Sequence, residues 1–274
     1  MVINFSHLPL RVAGMLHCRF PAMACVVLLS LLFSCLHAER LTFTIDYLGI
    51  SVANVEFVFE NLDTGRSQSS LAIPLKHRYM LTVTARSTGV SNLFSHSFDN
   101  TYKTAIDSLF RPIVYTKDIN QRNFREDSET VYCFIDLQAT YHNRITNLNH
   151  LYRIQANTRD FFSALFYLRT KNLKEDITFT IDAAGKIWTL SSRFLGTETI
   201  RTNIGRLQTD MIEISFTPVD DVVRLRSDIL TNNLVSENNR LLLWFTNDER
   251  QIPVRAAYVM QPFNVSWTIR SYRL

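Results

Sequence analysis

The sequence predicts a mainly β fold, a single antiparallel sheet curled into a barrel or half-barrel around one central helix at about residues 160–170. Three observations carry that expectation. After residue 40 most stretches alternate apolar and polar side chains with the two-residue period of a half-buried strand. One stretch, 157–170 (N-T-R-D-F-F-S-A-L-F-Y-L-R-T), breaks that period: Phe161, Phe162, Ala164, Leu165, Phe166 and Leu168 cover most of a helical circumference. Asp160, Ser163 and Tyr167 leave only a narrow polar stripe, so such a helix must be buried on nearly every side. With no partner helix in view, the sheet is the available cover. Finally, 274 residues at 46% hydrophobic suffice for a full core, while only 7 Gly and 7 Pro exclude a collagen-like, linker-rich or disordered chain.

The N-terminus reads as an export signal. Arg11 and Arg19 precede the apolar run 22–33, which is shorter than the about 20 residues a membrane-spanning helix needs and is followed by small residues. Residues 1–38 are therefore expected to be a signal peptide, with Met15 an alternative start, and 39–274 one mainly β domain. Two processing readings compete. Cleavage after Ala38 releases a soluble periplasmic protein. Leu32-Phe33-Ser34-Cys35 resembles a lipobox whose Cys35 would be acylated, the one route by which the chain is expected to meet a membrane. Phe33 fits that box poorly, which favours the soluble form. Discounting Arg11 and Arg19 from the 29 basic residues leaves 27 against 25 acidic ones, no electrostatic case for nucleic acid. Three of the 4 cysteines lie before residue 39, so a disulfide framework is not expected, and Cys133 reads as a small buried hydrophobe within a strand.

Each element follows from its own pattern. In 41–47, Leu41, Phe43, Ile45 and Tyr47 oppose Thr42, Thr44 and Asp46; Val55, Phe57 and Phe59 resume the alternation after Gly49. Residues 61–70 are turn-rich. Strands are expected at 78–88, 93–104 and 113–117, and 126–135 with 139–143 reads as a hairpin about Asp136. Asp160 is placed to cap the helix. Beyond it, 176–181 and 186–192 flank Gly185, a hairpin position that needs positive φ, and 195–203 with 206–216 flank Gly205. Residues 222–228 could be a strand and 231–239 a polar loop free to move over an opening. Strands 241–246, 252–260 and 263–272 close the chain, the first two joined by the tight turn 247–250. The economical arrangement is one domain of about 10 to 14 strands, curled so that its edges are hidden.

The helix stretch from Asp160 to Arg169, with its Ser163-Ala164 pair and aromatics, resembles the signature of the domain-of-unknown-function 3108 family. The run Leu243-Trp-Phe-Thr-Asn-Asp-Glu-Arg-Gln-Ile-Pro-Val254 is similar to a second signature of that family, a strand ending in an aromatic, an Asp turn and Pro-Val. Tyr47-Leu-Gly-Ile50 and Phe110-Arg-Pro112 also fit. One departure stands at Gln261-Pro262-Phe263, where the family usually carries Gly before its last strand. The resemblance implies an exported bacterial protein, mainly β, with no assigned activity.

No catalytic motif is present. Ser163 lacks the strained elbow of a hydrolase nucleophile. His77, His96, His142 and His150 show no metal-ligand spacing, no Gly-rich phosphate loop occurs, and Asp220-Asp221 would point to opposite faces of a strand. No cofactor or metal is expected. The candidate ligand-binding or structural signature is Asp160, Ser163, Tyr167, Arg169, Trp244, Asp248, Arg250 and Pro253. Its polar members, with Arg255, read first as caps and ion pairs fixing the helix against the 247–254 turn, and second as a charged mouth that orients an amphipathic ligand. The expectation is a non-catalytic periplasmic protein whose partner is a lipid or other hydrophobic small molecule, or an envelope protein. An integral outer-membrane β-barrel is the alternative and a hydrolase a weaker one. The barrel reading suffers from a C-terminal Leu and a buried helix.

Overall fold

The computed structural model describes residues 38–62, 78–89, 97–260 and 263–274. The expected export signal with Cys35, the histidines His77 and His96, and the Gln261-Pro262 departure lie outside the described residues.

Fifteen strands form one sheet. They are β1 (Ala38–Tyr47), β2 (Ile50–Asn61), β3 (Tyr79–Ser87), β4 (Phe98–Ile106), β5 (Pro112–Gln121), β6 (Phe124–Cys133), β7 (Gln138–Asn143) and β8 (Leu148–Arg153). After a short β9 (Arg159–Asp160) and the helix α1 (Phe161–Leu168) come β10 (Ile177–Ala183), β11 (Lys186–Thr202) and β12 (Gly205–Pro218). A second helix, α2 (Ile229–Leu234), precedes β13 (Leu241–Thr246), β14 (Pro253–Met260) and β15 (Phe263–Arg273). Every chain-adjacent pair from β1 to β8 and from β9 to β15 lies side by side, and β1 pairs with β15. The sheet's two ends are therefore β8 and β9, in mid-sequence. All pairings are antiparallel except β9 with β10.

The alternation sets the faces. Leu41, Phe43 and Ile45 of β1 and Val55 and Phe57 of β2 are buried as their register demands. At the β10–β11 turn Ala184 (φ 57°) and Gly185 (φ 74°) both take positive φ, as a two-residue hairpin loop requires. A Cβ on Gly185 would stand 3.2 Å from Leu225 Cδ1.

Of the expected barrel or half-barrel, the closed form is not made: β8 and β9 share no ladder. The ends nonetheless meet through side chains. Tyr132 of β6 donates to Asp182 Oδ2 of β10 at 2.8 Å, and Tyr152 of β8 donates to the same oxygen. Residues 219–240, between β12 and β13, add a strap over this side. Leu225 N donates to Ala184 O (3.0 Å), and Arg226 Nη2 to Asn123 O (3.1 Å) beyond β5. The strap corrects two expectations: 222–228 is irregular backbone, and 231–239 begins inside α2. Asp228 caps α2, accepting from Thr231 N, and thereby turns a polar stretch helical. Strand β8 was not expected at all. Cys133 is half-exposed at the end of β6, its Sγ 3.2 Å from Asp136 Oδ2, rather than buried mid-strand. Asp220 and Asp221 are exposed and irregular.

Helix α1 begins where expected. Asp160 accepts from Phe162 N and Ser163 N, both at 3.0 Å. Six of its residues are buried, Phe161, Phe162, Ser163, Ala164, Phe166 and Leu168. Phe166 stacks on Phe59 of β2 at 4.6 Å, Phe162 packs against Tyr102 of β4 at 4.8 Å, and Tyr167 meets Phe179 of β10 edge-on at 5.1 Å. The helix thus touches both halves of the sheet, which must curve to reach it.

Candidate functional site

An apolar cavity of about 40 Å³ lies beside α1, lined by Phe161, Leu165 and Phe166 together with Phe57, Leu234 of α2 and Pro253. The sequence-derived signature surrounds the helix but does not converge. Asp160 sits at the N-terminus, also accepting from Thr104 Oγ1 at 3.1 Å, and Ser163 Oγ donates back to Asp160 O at 3.2 Å. Burial raises the Asp160 carboxyl above the usual value against the pull of those hydrogen bonds. Ser163 is buried beside the Asp160 carboxylate, with its hydroxyl satisfied.

Arg169 lies at the other end of α1, about 13.5 Å from Asp160 at 1.5 Å per residue. Its guanidinium forks onto Glu39 of β1 at 2.7 and 2.8 Å, with Nε donating to Arg250 O at 3.2 Å. Gln251 Nε2 answers by donating to Arg169 O and Lys171 O, two carbonyls beyond the end of α1. Asp248 organises the turn itself, accepting from Thr246 Oγ1 (2.7 Å), Arg250 N (3.2 Å) and Arg250 Nη2 (3.1 Å). Burial would raise the Asp248 carboxyl, but those donors and the Arg250 charge hold it below the ordinary range. Helix and turn are thus fastened together. Glu39 is a member that sequence reasoning missed. Tyr167 offers its ring to the buried Arg159 guanidinium at 3.4 Å. Trp244 donates to Glu198 Oε1 at 2.5 Å and lies under Arg255 at 5.0 Å, apart from the Arg169 cluster. A single charged mouth does not form.

The more perturbed groups lie on the opposite half of the sheet. Lys117 of β5 is 6% exposed, with Nζ 2.9 Å from Ser227 Oγ, 3.4 Å from Asp228 Oδ2 and 3.9 Å from Glu126 Oε2. Glu126 Oε1 accepts from Ser128 Oγ (2.6 Å) and Tyr141 OH (3.0 Å). Asp228 accepts from Tyr102 OH (2.8 Å), Thr231 N (2.9 Å) and Thr231 Oγ1 (2.7 Å). Burial pulls the Lys117 ammonium down, but Glu126 and Asp228 outweigh it and leave the group raised. Asp228 runs the other way: burial raises it, while Lys117 and its hydrogen-bond donors hold it below normal. Asp182 is raised by burial. Through Lys117 and Asp228 this network joins strap to sheet, and Glu126 Oε2 is buried without a hydrogen-bond partner. One sequence signal existed: Lys117 shares the inward phase of Tyr115 and Ile119, and Glu126 that of Ser128 and Tyr132. Among the described residues no three His, Cys, Asp or Glu side chains are placed to hold a metal.

The family model described as a protein of unknown function (DUF3108) matches residues 42–262. No curated protein matches. Among solved structures, a β-barrel-like protein of the domain of unknown function DUF1849 from Brucella abortus is similar, with a TM-score of 0.53 at 10% identity over 86% of this chain and 97% of that one. That likeness concerns the fold alone. A Bacteroides fragilis protein of YmcC-like fold, described as exported, aligns over 86% of this chain and 95% of its own at 9% identity, with a TM-score of only 0.32. No described helix is long and apolar enough to cross a membrane.

Proposed function

The chain belongs to the DUF3108 family, and on that premise we propose that it is an exported, non-catalytic periplasmic protein that binds the apolar part of an amphipathic envelope component beside α1. The observation that carries this reading is the apolar cavity against Phe161, Leu165 and Phe166, one wall of which is Leu234 on the strap. At about 40 Å³ it is far below the roughly 300–1,000 Å³ of a formed small-molecule pocket. A space of that size admits no more than the end of an alkyl chain. Protein partners of the envelope would meet the same surface.

The outer-membrane alternative loses support because a spanning sheet must have no unpaired edge, whereas β8 and β9 are edges. Native mass spectrometry of the protein purified from membranes tests the proposal: a co-purifying lipid-sized mass is expected, and repeated absence of one overturns it. Fractionation and N-terminal sequencing test the compartment. A soluble chain starting at Glu39 is expected, and an acylated Cys35 would replace that with anchoring.

A further inference from the structure

At one end of β4, β5 and β6 three side chains stand in a row, Phe98 opposite Gln121 and Gln121 opposite Phe124. They share the phase of Tyr102, Lys117 and Glu126, so they lie on the face that the strap covers. The strap crosses them here. Arg226 sets its guanidinium over the Phe124 ring at 5.1 Å and donates to Asn123 O at 3.1 Å. Ile229 N donates to Gln121 Oε1 at 3.4 Å. A cleft of about 180 Å³ is left between row and strap, with Arg122 at its edge. It shares no lining residue with the apolar cavity beside α1, and the bonds of Tyr102 and Lys117 to Asp228 wall the two apart.

The polar lining of this cleft is one-sided. Two guanidinium groups line it and no carboxylate does. Among the described residues Arg122 makes no ion pair and no side-chain hydrogen bond, and the Arg226 guanidinium bonds only Asn123 O. Glu126 and Asp228 lie behind the row, but Lys117 pairs with both, and Arg224 is a second cation on the strap there. Gln121 Nε2 is buried and has no acceptor. A donor shut away from water without an acceptor is costly, so a ligand oxygen beside it would be a gain. A dry cavity of about 150 Å³ holds benzene, so this cleft takes one six-membered ring or its equivalent.

We propose that the cleft binds a small phosphate monoester carried on a single ring, with Arg122 and Arg226 on the phosphoryl group, Gln121 Nε2 on one of its oxygens and the ring against Phe98 and Phe124. Two guanidinium forks and an amide offer donors from three directions. That matches the three terminal oxygens of a phosphate monoester better than the two of a carboxylate. The site goes beyond the chain-binding reading and does not depend on it.

Titration calorimetry on the mature chain at low salt tests the assignment. Phenyl phosphate is expected to bind saturably with a Kd below about 1 mM. Benzoate and inorganic phosphate should bind about tenfold more weakly, and neutral benzyl alcohol not at all. Arg122→Gln, at a side chain with no partner to lose, should melt with the wild type and weaken phenyl phosphate about tenfold. Arg122→Lys keeps the charge without the fork and should recover only part of that loss. No saturable binding of phenyl phosphate overturns the site, as does binding that neither Arg122→Gln nor Arg226→Gln alters. Benzoate binding as tightly as phenyl phosphate overturns the phosphoryl head, and inorganic phosphate doing so overturns the ring. Each of these results leaves the cavity beside α1 to its own test.

Discussion

The two halves of this sheet solve burial differently. Around α1, strands β1, β2 and β13 to β15 present Leu41, Phe43, Phe57, Leu243 and Trp267, a core held by contact area. Across from them, β4 to β8, β10 and the strap bury Lys117, Glu126, Asp182 and Asp228 among tyrosines, a core held by direction. Area burial is forgiving of partner and angle. A buried charge is not: it repays its desolvation only when each neighbour is in place. The polar half is where the sheet fails to close, so hydrogen-bonded side chains fasten there what a ladder does not.

That contrast is sharpest for two substitutions of similar size. Lys117→Met leaves Glu126 and Asp228 buried without their cation and should lower unfolding free energy by about 3–5 kcal/mol at neutral pH in urea titrations. Phe57→Ala should lose about 3–5 kcal/mol through an apolar void. Only the Lys117 deficit should shrink as pH falls through the carboxylate range. A pH-independent deficit at Lys117 would dissolve the distinction between the halves.

Next in size, Asp160→Ala removes a buried cap and should lose about 2 kcal/mol, whereas Asp160→Asn, which keeps an acceptor for Phe162 N and Ser163 N, should lose under about 1 kcal/mol. Both are read from thermal melts.

The buried carboxyls give a finer measure. Asp182 and Asp160 have folded-state values raised above 3.8, so the folded protein holds protons that the unfolded chain releases. Their contribution therefore falls as pH rises from 3.8 through the raised value. Asp228, held below 3.8, works oppositely, its stabilisation being present above 3.8 and lost as pH falls through the lower folded value. Replacing Asp182 with Asn should flatten the first slope and leave the second, with a change under about 1 kcal/mol at neutral pH. An unaltered slope would exclude Asp182 as its source. Smallest of all, Ala256→Val adds methyl groups to the cavity wall and should gain about 0.5–1 kcal/mol in thermal melts.

Much of the apolar half was legible in the chain. Alternation fixed β1, β2 and the closing strands, and the aromatic run after Asp160 announced α1 and its cap. The hairpin at Gly185 followed from its position. The polar half was largely invisible because its logic is three-dimensional. Lys117 pairs with Asp228 across 111 residues, and only its inward phase hinted at burial. The strap misled because its Thr, Asn and Asp read as loop until Asp228 is seen capping α2. Arg169 was rightly placed at the helix end, but Glu39, 130 residues away, gives no local sign of being its partner. Closure, too, lay beyond periodicity, which sets faces and says nothing about whether the two edge strands, β8 and β9, meet.

The pairing of β1 with β15 has a consequence for how the molecule is made. Thr42 and Ser271 touch across 229 residues, so the middle of the sheet is joined by the two segments farthest apart in synthesis. Each wing is a sequential meander that can assemble as it emerges, but the wings stay separate until the final strand arrives. A circular permutant that links Leu274 to Ala38 and opens at the exposed Ala156 would turn every neighbour in the sheet into a neighbour in the chain. It should refold faster than the natural order, with its native stability little changed.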